Sequence, residues 1–133
     1  MKKNRYKDWF AQAGDDLKWA EDSLRTGHFA GVCFLAQQTA AKSLRALAYY
    51  RGVAEVRNRS VKKIAESLDI NSEIARAGGL LDQYYIATRY PDALPEGRSS
   101  EYYDKEQAAA ALEMARAVIR RVQAELGADL SEK

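Results

Sequence analysis

Gly31-Val32-Cys33-Phe34-Leu35-Ala36-Gln37-Gln38-Thr39-Ala40-Ala41-Lys42-Ser43-Leu44-Arg45-Ala46-Leu47-Ala48 is the stretch that decides the fold. It is too long for a strand, contains no proline, and sets apolar residues on more than one face of a helix. Alanines among the larger side chains let neighbouring elements approach closely. The stretch therefore reads as a central helix from about His28 to Tyr50, ended by Arg51-Gly52. Gln37, Gln38, Lys42 and Arg45 are its polar insertions and mark the edge of an interface or a cleft.

Working outward, Tyr6, Trp9, Ala13, Leu17, Ala20 and Leu24 recur at gaps of three and four, a continuous stripe on a helix from about Arg5 to Arg25. Gly27 ends it, and the adjacent Asp15-Asp16 pair is expected on a solvated face. On the other side, Ser60 can cap a short helix, Val61 to Leu68. Asn71 or Ser72 can cap a further one, about Glu73 to Ile86. Gly78-Gly79 inside that helix marks close backbone packing or a kink. Asp104, with Gln107 three residues on, opens the last helix in a capping-box pattern; Leu112, Ala115, Val118, Ile119, Val122 and Leu126 form its stripe, and Gly127 is the expected stop before a frayed tail, Ala128 to Lys133. No strand pattern or internal repeat competes. The expected fold is all-α, an antiparallel bundle of four main helices plus one short helix.

Between the last two helices lies the densest chemistry, Tyr84-Tyr85-Ile86-Ala87-Thr88-Arg89-Tyr90-Pro91-Asp92, followed by a long loop to Tyr103. Pro91 must stop a helix. Rigid helices presenting an aromatic, cationic break is a common way to build a binding site. Two readings stand. In one, Tyr84, Tyr85 or Tyr90 stacks a base while Arg89, with Lys42 or Arg45, holds phosphate. In the other, the tyrosines pack the end of the bundle and Arg89 pairs with Asp82 or Asp92. The pair Tyr102-Tyr103 divides in the same way, with one ring docking the loop onto the core.

Composition narrows the classes. A chain of 133 residues supports one domain with a single core. A net charge of +2 with interspersed signs argues against wholesale nucleic-acid binding. Arg116, Arg120 and Arg121 form a basic strip whose default fate is a solvated face. The single cysteine, Cys33, lies in an apolar run and reads as core; His28 is off its helical face, so a thiol nucleophile is not supported. His28 itself reads as an exposed helix-start residue. One histidine and one cysteine cannot assemble a zinc site, and there is neither a Glu-x-x-His pair nor a glycine-rich phosphate loop. No metal or cofactor is expected. Neither a signal peptide nor a membrane span is visible, so the expected location is cytoplasmic.

Three segments resemble those of small bacterial and archaeal HEPN-domain proteins. They are the first stripe with Gly27-His28-Phe29, then Cys33-Phe34-Leu35-Ala36-Gln37-Gln38-Thr39-Ala40-Ala41-Lys42-Ser43-Leu44, and Leu81-Asp82-Gln83-Tyr84-Tyr85 followed by Arg89-Tyr90-Pro91-Asp92. Their order and spacing cover nearly the whole chain. The resemblance implies a helical bundle that dimerises through its long helices, paired with a minimal nucleotidyltransferase in a toxin–antitoxin or related module. Many such proteins are metal-independent ribonucleases with an Arg-x4–6-His motif. Here Arg89 occupies the arginine's place, but Leu94, Pro95 and Glu96 follow and no histidine does. Where relatives carry His-Ser before the short helix, this chain has Arg59-Ser60.

Both departures point to binding without cleavage, since an arginine stays protonated and cannot take a 2′-hydroxyl proton. The expectation is a non-catalytic nucleotide- or RNA-binding module, a homodimer beside a nucleotidyltransferase. Its binding candidates are Arg89, Tyr90, Asp92, Tyr84 and Tyr85 at the break, with Lys42, Arg45, Arg59, Tyr102 and Tyr103 around it. The alternative is a ribonuclease toxin with a non-standard base, Tyr90 or His28.

Overall fold

Residues 4–130 are described by the computed structural model, with side chains as far as Gly127. Helices α1 (Tyr6–Arg25) and α2 (Phe29–Tyr50) form the most extensive pair, and α6 (Lys105–Leu130) packs on both. Gly27, at φ 84°, makes the reversal between α1 and α2 in the left-handed region that glycine tolerates. The short α3 (Val61–Ser67) and α4 (Ser72–Asp82) lean together against α2, and a single further turn, α5 (Tyr84–Ala87), follows α4 directly. Among the described residues there are no strands. The all-α bundle with one short helix is thus the observed architecture.

The core explains why α2 is apolar almost all round. Val32, Leu35, Ala36, Leu44, Leu47 and Ala48 are buried against α1, α6, α3 and α4 within the chain. Most of that apolar character is used within the chain's own core. The caps follow local chemistry. Ser60 Oγ accepts from the Lys63 amide at 3.1 Å, and Asn71, rather than Ser72, caps α4 by accepting from the Ile74 amide at 2.9 Å. Asp104 caps α6 by accepting from the Gln107 amide at 2.8 Å; the Gln107 side chain instead donates to the Tyr84 hydroxyl at 3.4 Å, leaving half a capping box.

Three expectations on element bounds change. The helix expected over 73–86 breaks at Gln83, whose amide bonds to the Leu80 carbonyl at 3.3 Å and so tightens the turn between α4 and α5. The loop from Ala87 to Tyr103 contains two short 3₁₀ turns, Pro91–Ala93 and Ser99–Glu101. Gly127 does not stop α6, which runs to Leu130: Gly127 is not among the glycines with positive φ, and the buried Leu126 anchors that turn. The rest of the expected frayed tail, residues 131–133, lies outside the described residues. Gly78 is a close-approach glycine, since a Cβ there would sit 2.7 Å from Val61 Cγ1 and 2.9 Å from the Lys62 nitrogen. Its neighbour Gly79 would meet only the end of the Lys62 side chain.

Candidate functional site

Asp82, in the motif segment Leu81-Asp82-Gln83, fixes the geometry of the region around the break. Its Oδ1 accepts from the Val61 amide at 2.8 Å and Gln37 Nε2 at 3.1 Å; its Oδ2 accepts from Ser60 Oγ at 2.7 Å and the Lys62 amide at 3.2 Å. The carboxylate therefore satisfies the open amides at the start of α3 from across the fold. Gln37, fully buried, also donates to the Arg59 carbonyl at 3.1 Å. These contacts lock α2, α3 and α4 together and place Arg59, just before α3, against α5. Asp82 is occupied by this role and does not pair with Arg89.

Arg89 has a different environment from either ion pair expected for it. Its guanidinium lies over the rings of Phe34 at 4.3 Å, Tyr85 at 4.9 Å and Tyr90 at 5.1 Å, and its Nε donates to the Tyr85 carbonyl at 3.1 Å. Asp92 sits on the exposed 3₁₀ turn. Arg59 donates to the Tyr85 hydroxyl at 3.2 Å, and Arg45 donates to the Asn58 carbonyl at 3.3 Å while its guanidinium covers the Trp9 ring at 4.7 Å. Among the described residues, Arg45, Arg59 and Arg89 form no ion pair; rings and carbonyls hold them instead.

Gln38, Ala41, Lys42, Arg45, Arg59 and Tyr85 line one cleft of about 100 Å³ between α2, the start of α3 and α5. Four of the sequence candidates thus converge there, and Arg89 is stacked on the cleft's Tyr85. Lys42 arrives neutralised by Asp16 at 2.7 Å, a carboxylate that is almost fully buried and also accepts from Gln12 Nε2 at 3.2 Å. That overturns the expectation of a solvated Asp16: Lys42, reaching from α2, makes its burial tolerable. Asp15 is exposed as expected.

The other tyrosines do not join the cleft lining. Tyr84 and Tyr103 meet edge to face at 5.7 Å and pack against the core; burial raises the Tyr103 hydroxyl above its usual 10. Tyr102 donates to the Glu96 carbonyl and ties the loop to itself. Tyr90 is exposed beside Arg89. Cys33 is fully buried, which pushes its thiol up to about 12 and makes it inert as a nucleophile. His28 stands exposed before α2 with Nδ1 3.0 Å from Thr26 Oγ1. The α6 strip is largely neutralised: Arg116 pairs with Glu21 at 2.8 Å and with Glu113, and Arg121 pairs with Glu125 at 3.3 Å.

Sequence reading missed Phe34, Trp9 and Asp16 as parts of this region. The signal for Phe34 was available, since it shares the helical face of Gln38, Lys42 and Arg45 at spacings of three and four. Trp9 and Asp16 come from another helix, and no spacing within α2 reveals them.

The fold and cleft define a helical-bundle domain with a basic and aromatic notch beside its central helix. The HEPN domain family matches residues 6–125, and the chain belongs to that family. It is similar to the crystal structure of TT1696 from Thermus thermophilus, with 36% identity over 93% of this chain and 100% of that one and a TM-score of 0.87. It is also similar to ST0689, an archaeal HEPN homologue, with 31% identity over 95% and 99% of the two chains and a TM-score of 0.81. No curated protein matches the sequence. Among the described residues no helix is long and apolar enough to cross a membrane, and no group of three or more His, Cys, Asp or Glu side chains is placed to hold a metal ion.

Proposed function

We propose that this HEPN domain is a non-catalytic module that binds nucleotide or RNA phosphate in the cleft between Gln38 and Tyr85, acting as a homodimer beside a minimal nucleotidyltransferase. The observation that carries the reading is a pair of arginines, Arg45 and Arg59, lining one cleft with no carboxylate partner among the described residues, with a third, Arg89, stacked on the cleft's Tyr85. Guanidinium groups so held keep donors free for a phosphate, which they bind with charge-assisted hydrogen bonds. Tyr85 supplies an aromatic face at the same place.

Binding without cleavage is supported by what lines the cleft. No histidine is there, the arginines cannot accept a proton, and Cys33 is buried elsewhere as a neutral thiol. His28 and Tyr90, the bases a ribonuclease would need, are absent from the lining. Dimerisation and the nucleotidyltransferase partner rest on the family alone and extend the reading.

Equilibrium titration of ATP and UTP against the parent and the Arg45→Ala/Arg59→Ala variant tests it. The parent should bind and leave single-stranded RNA intact, while the variant should lose about tenfold or more in affinity at unchanged melting temperature. A parent that binds neither nucleotide, or a variant that binds as well as the parent, would sink the proposal. Sedimentation equilibrium and co-purification with a co-expressed nucleotidyltransferase check the assembly.

A further inference from the structure

The cleft is one part of a longer open seam on α2. Between Cys33 and Tyr49 the only α2 side chains that are not buried are Phe34, Gln38, Ala41, Lys42, Arg45 and Tyr49, which recur at helical spacing on one face. At 1.5 Å per residue the seam runs about 22 Å, room for roughly six stacked nucleotides and far more than one. Its composition alternates along its length. Phe34 with Tyr85 and Arg89 stands at one end, Lys42, Arg45 and Arg59 form the middle, and Tyr49 with Trp9 stands at the other end.

Arg45 joins the two halves. It lines the basic cleft and at the same time covers the Trp9 ring at 4.7 Å. Trp9 and Tyr49, their rings 6.5 Å apart and tilted by 44°, line an open depression of about 540 Å³; a second of about 210 Å³ opens on the Gln12 side of Trp9. A half-exposed tryptophan with space on two sides, adjoining unpaired arginines, is more than the edge of a core needs. An exposed cation–π contact is weaker than a base stacked on an aromatic ring, so an incoming base can displace the Arg45 guanidinium toward a phosphate.

We infer that the seam is a track for single-stranded nucleic acid in which Trp9 and Tyr49 form a second base-stacking subsite, beyond the phosphate cleft of Arg45 and Arg59. This rests on the phosphate-binding reading above and names its ligand as a strand rather than a mononucleotide. A duplex, whose base faces are already stacked, fits the track less well. Positive charge at the centre and ring faces at both ends is the complement of a strand whose backbone is continuous and whose bases are free.

The test uses the Trp19→Phe background. Trp19 is 62% exposed, and its replacement leaves Trp9 as the sole tryptophan reporter. An oligouridylate of about eight nucleotides should quench Trp9 fluorescence and bind about tenfold tighter than UMP. Trp9→Leu should abolish the oligomer's tenfold advantage over UMP. The inference is overturned if the oligomer binds no tighter than UMP, if it binds with Trp9 fluorescence unmoved, or if a duplex of equal length binds as well. In each of those cases UMP binding that depends on Arg45 and Arg59 would leave the mononucleotide cleft standing. Absence of binding by UMP and oligomer alike removes both readings. The quenching measurement keeps the test decisive even where Trp9→Leu folds poorly.

Discussion

The arginines on the α6 side of the bundle and those along the α2 seam are the same residue put to opposite use. Arg51 grips Glu125 with two hydrogen bonds, at 2.7 and 2.8 Å, and Arg116 is held between Glu21 and Glu113. Their charges are spent inside the fold. Arg45, Arg59 and Arg89 are oriented just as firmly, but by rings and carbonyls that leave the positive charge uncompensated. Of the two carboxylates near Arg89 in sequence, Asp82 is committed to the amides of Val61 and Lys62, and Asp92 stands exposed on its 3₁₀ turn. Arginine count is therefore a poor guide to where this molecule keeps uncompensated positive charge. What separates the two regions is the partner.

The comparison breaks most easily at Asp82. Asp82→Ala should cost about 2–4 kcal/mol, because it strands the α3 amides and the buried Gln37 amide together. Thermal unfolding would show the loss, and nucleotide affinity should fall with it as Arg59 moves. A near-normal melting temperature would mean that the cleft does not depend on this anchor. Gly78→Ala is the next largest. Overpacking against Val61 and the Lys62 backbone should destabilise by about 1–3 kcal/mol, outweighing the roughly 1 kcal/mol that alanine gains over glycine in a helix.

The smallest effect sharpens the paired side. Hydrogen bonds from Arg51, and then Arg121, hold the Glu125 carboxyl at about 2 against its usual 4.5. A carboxyl lowered by folding adds stability that is full above about pH 4.5 and is lost as the pH falls toward 2. The pair is partly exposed, so Arg51→Gln should cost only about 1 kcal/mol at neutral pH. The variant and parent should converge in stability as the pH falls through that window, with nucleotide binding untouched. Persistence of the full difference at pH 2, or a loss of nucleotide affinity, would show that the paired and unpaired arginines are not separate systems.

Much of the fold was legible in the chain because helices are written locally. The stripes of α1 and α6, the caps Ser60, Asn71 and Asp104, and the reversal at Gly27 all depend on residues within a turn or two of one another. Gly127 misled because a glycine ends a helix only when it takes the left-handed conformation, and the burial of Leu126 holds this one in line. The candidate region was legible in part. Residue type singled out Arg89, Tyr85, Lys42, Arg45 and Arg59, yet the same criterion also selected Tyr84 and Tyr103, which pack on the core.

Asp15 and Asp16 show where the sequence ends and the tertiary structure begins. As neighbours of identical chemistry they read alike, and periodicity placed both beside the α1 stripe. Only the approach of Lys42 from α2 decides that Asp16 is buried and paired while Asp15 stays in water. Arg89 repeats the lesson, since both carboxylates offered by its own segment go unused and its partners are rings, one of them Phe34 from another helix. The sequence by itself determined the helices, their caps and the family, because those depend on spacing along one chain. Which charges are neutralised and which are left unpaired was decided only by tertiary packing, because an ion pair across the bundle depends on distances that no local pattern encodes.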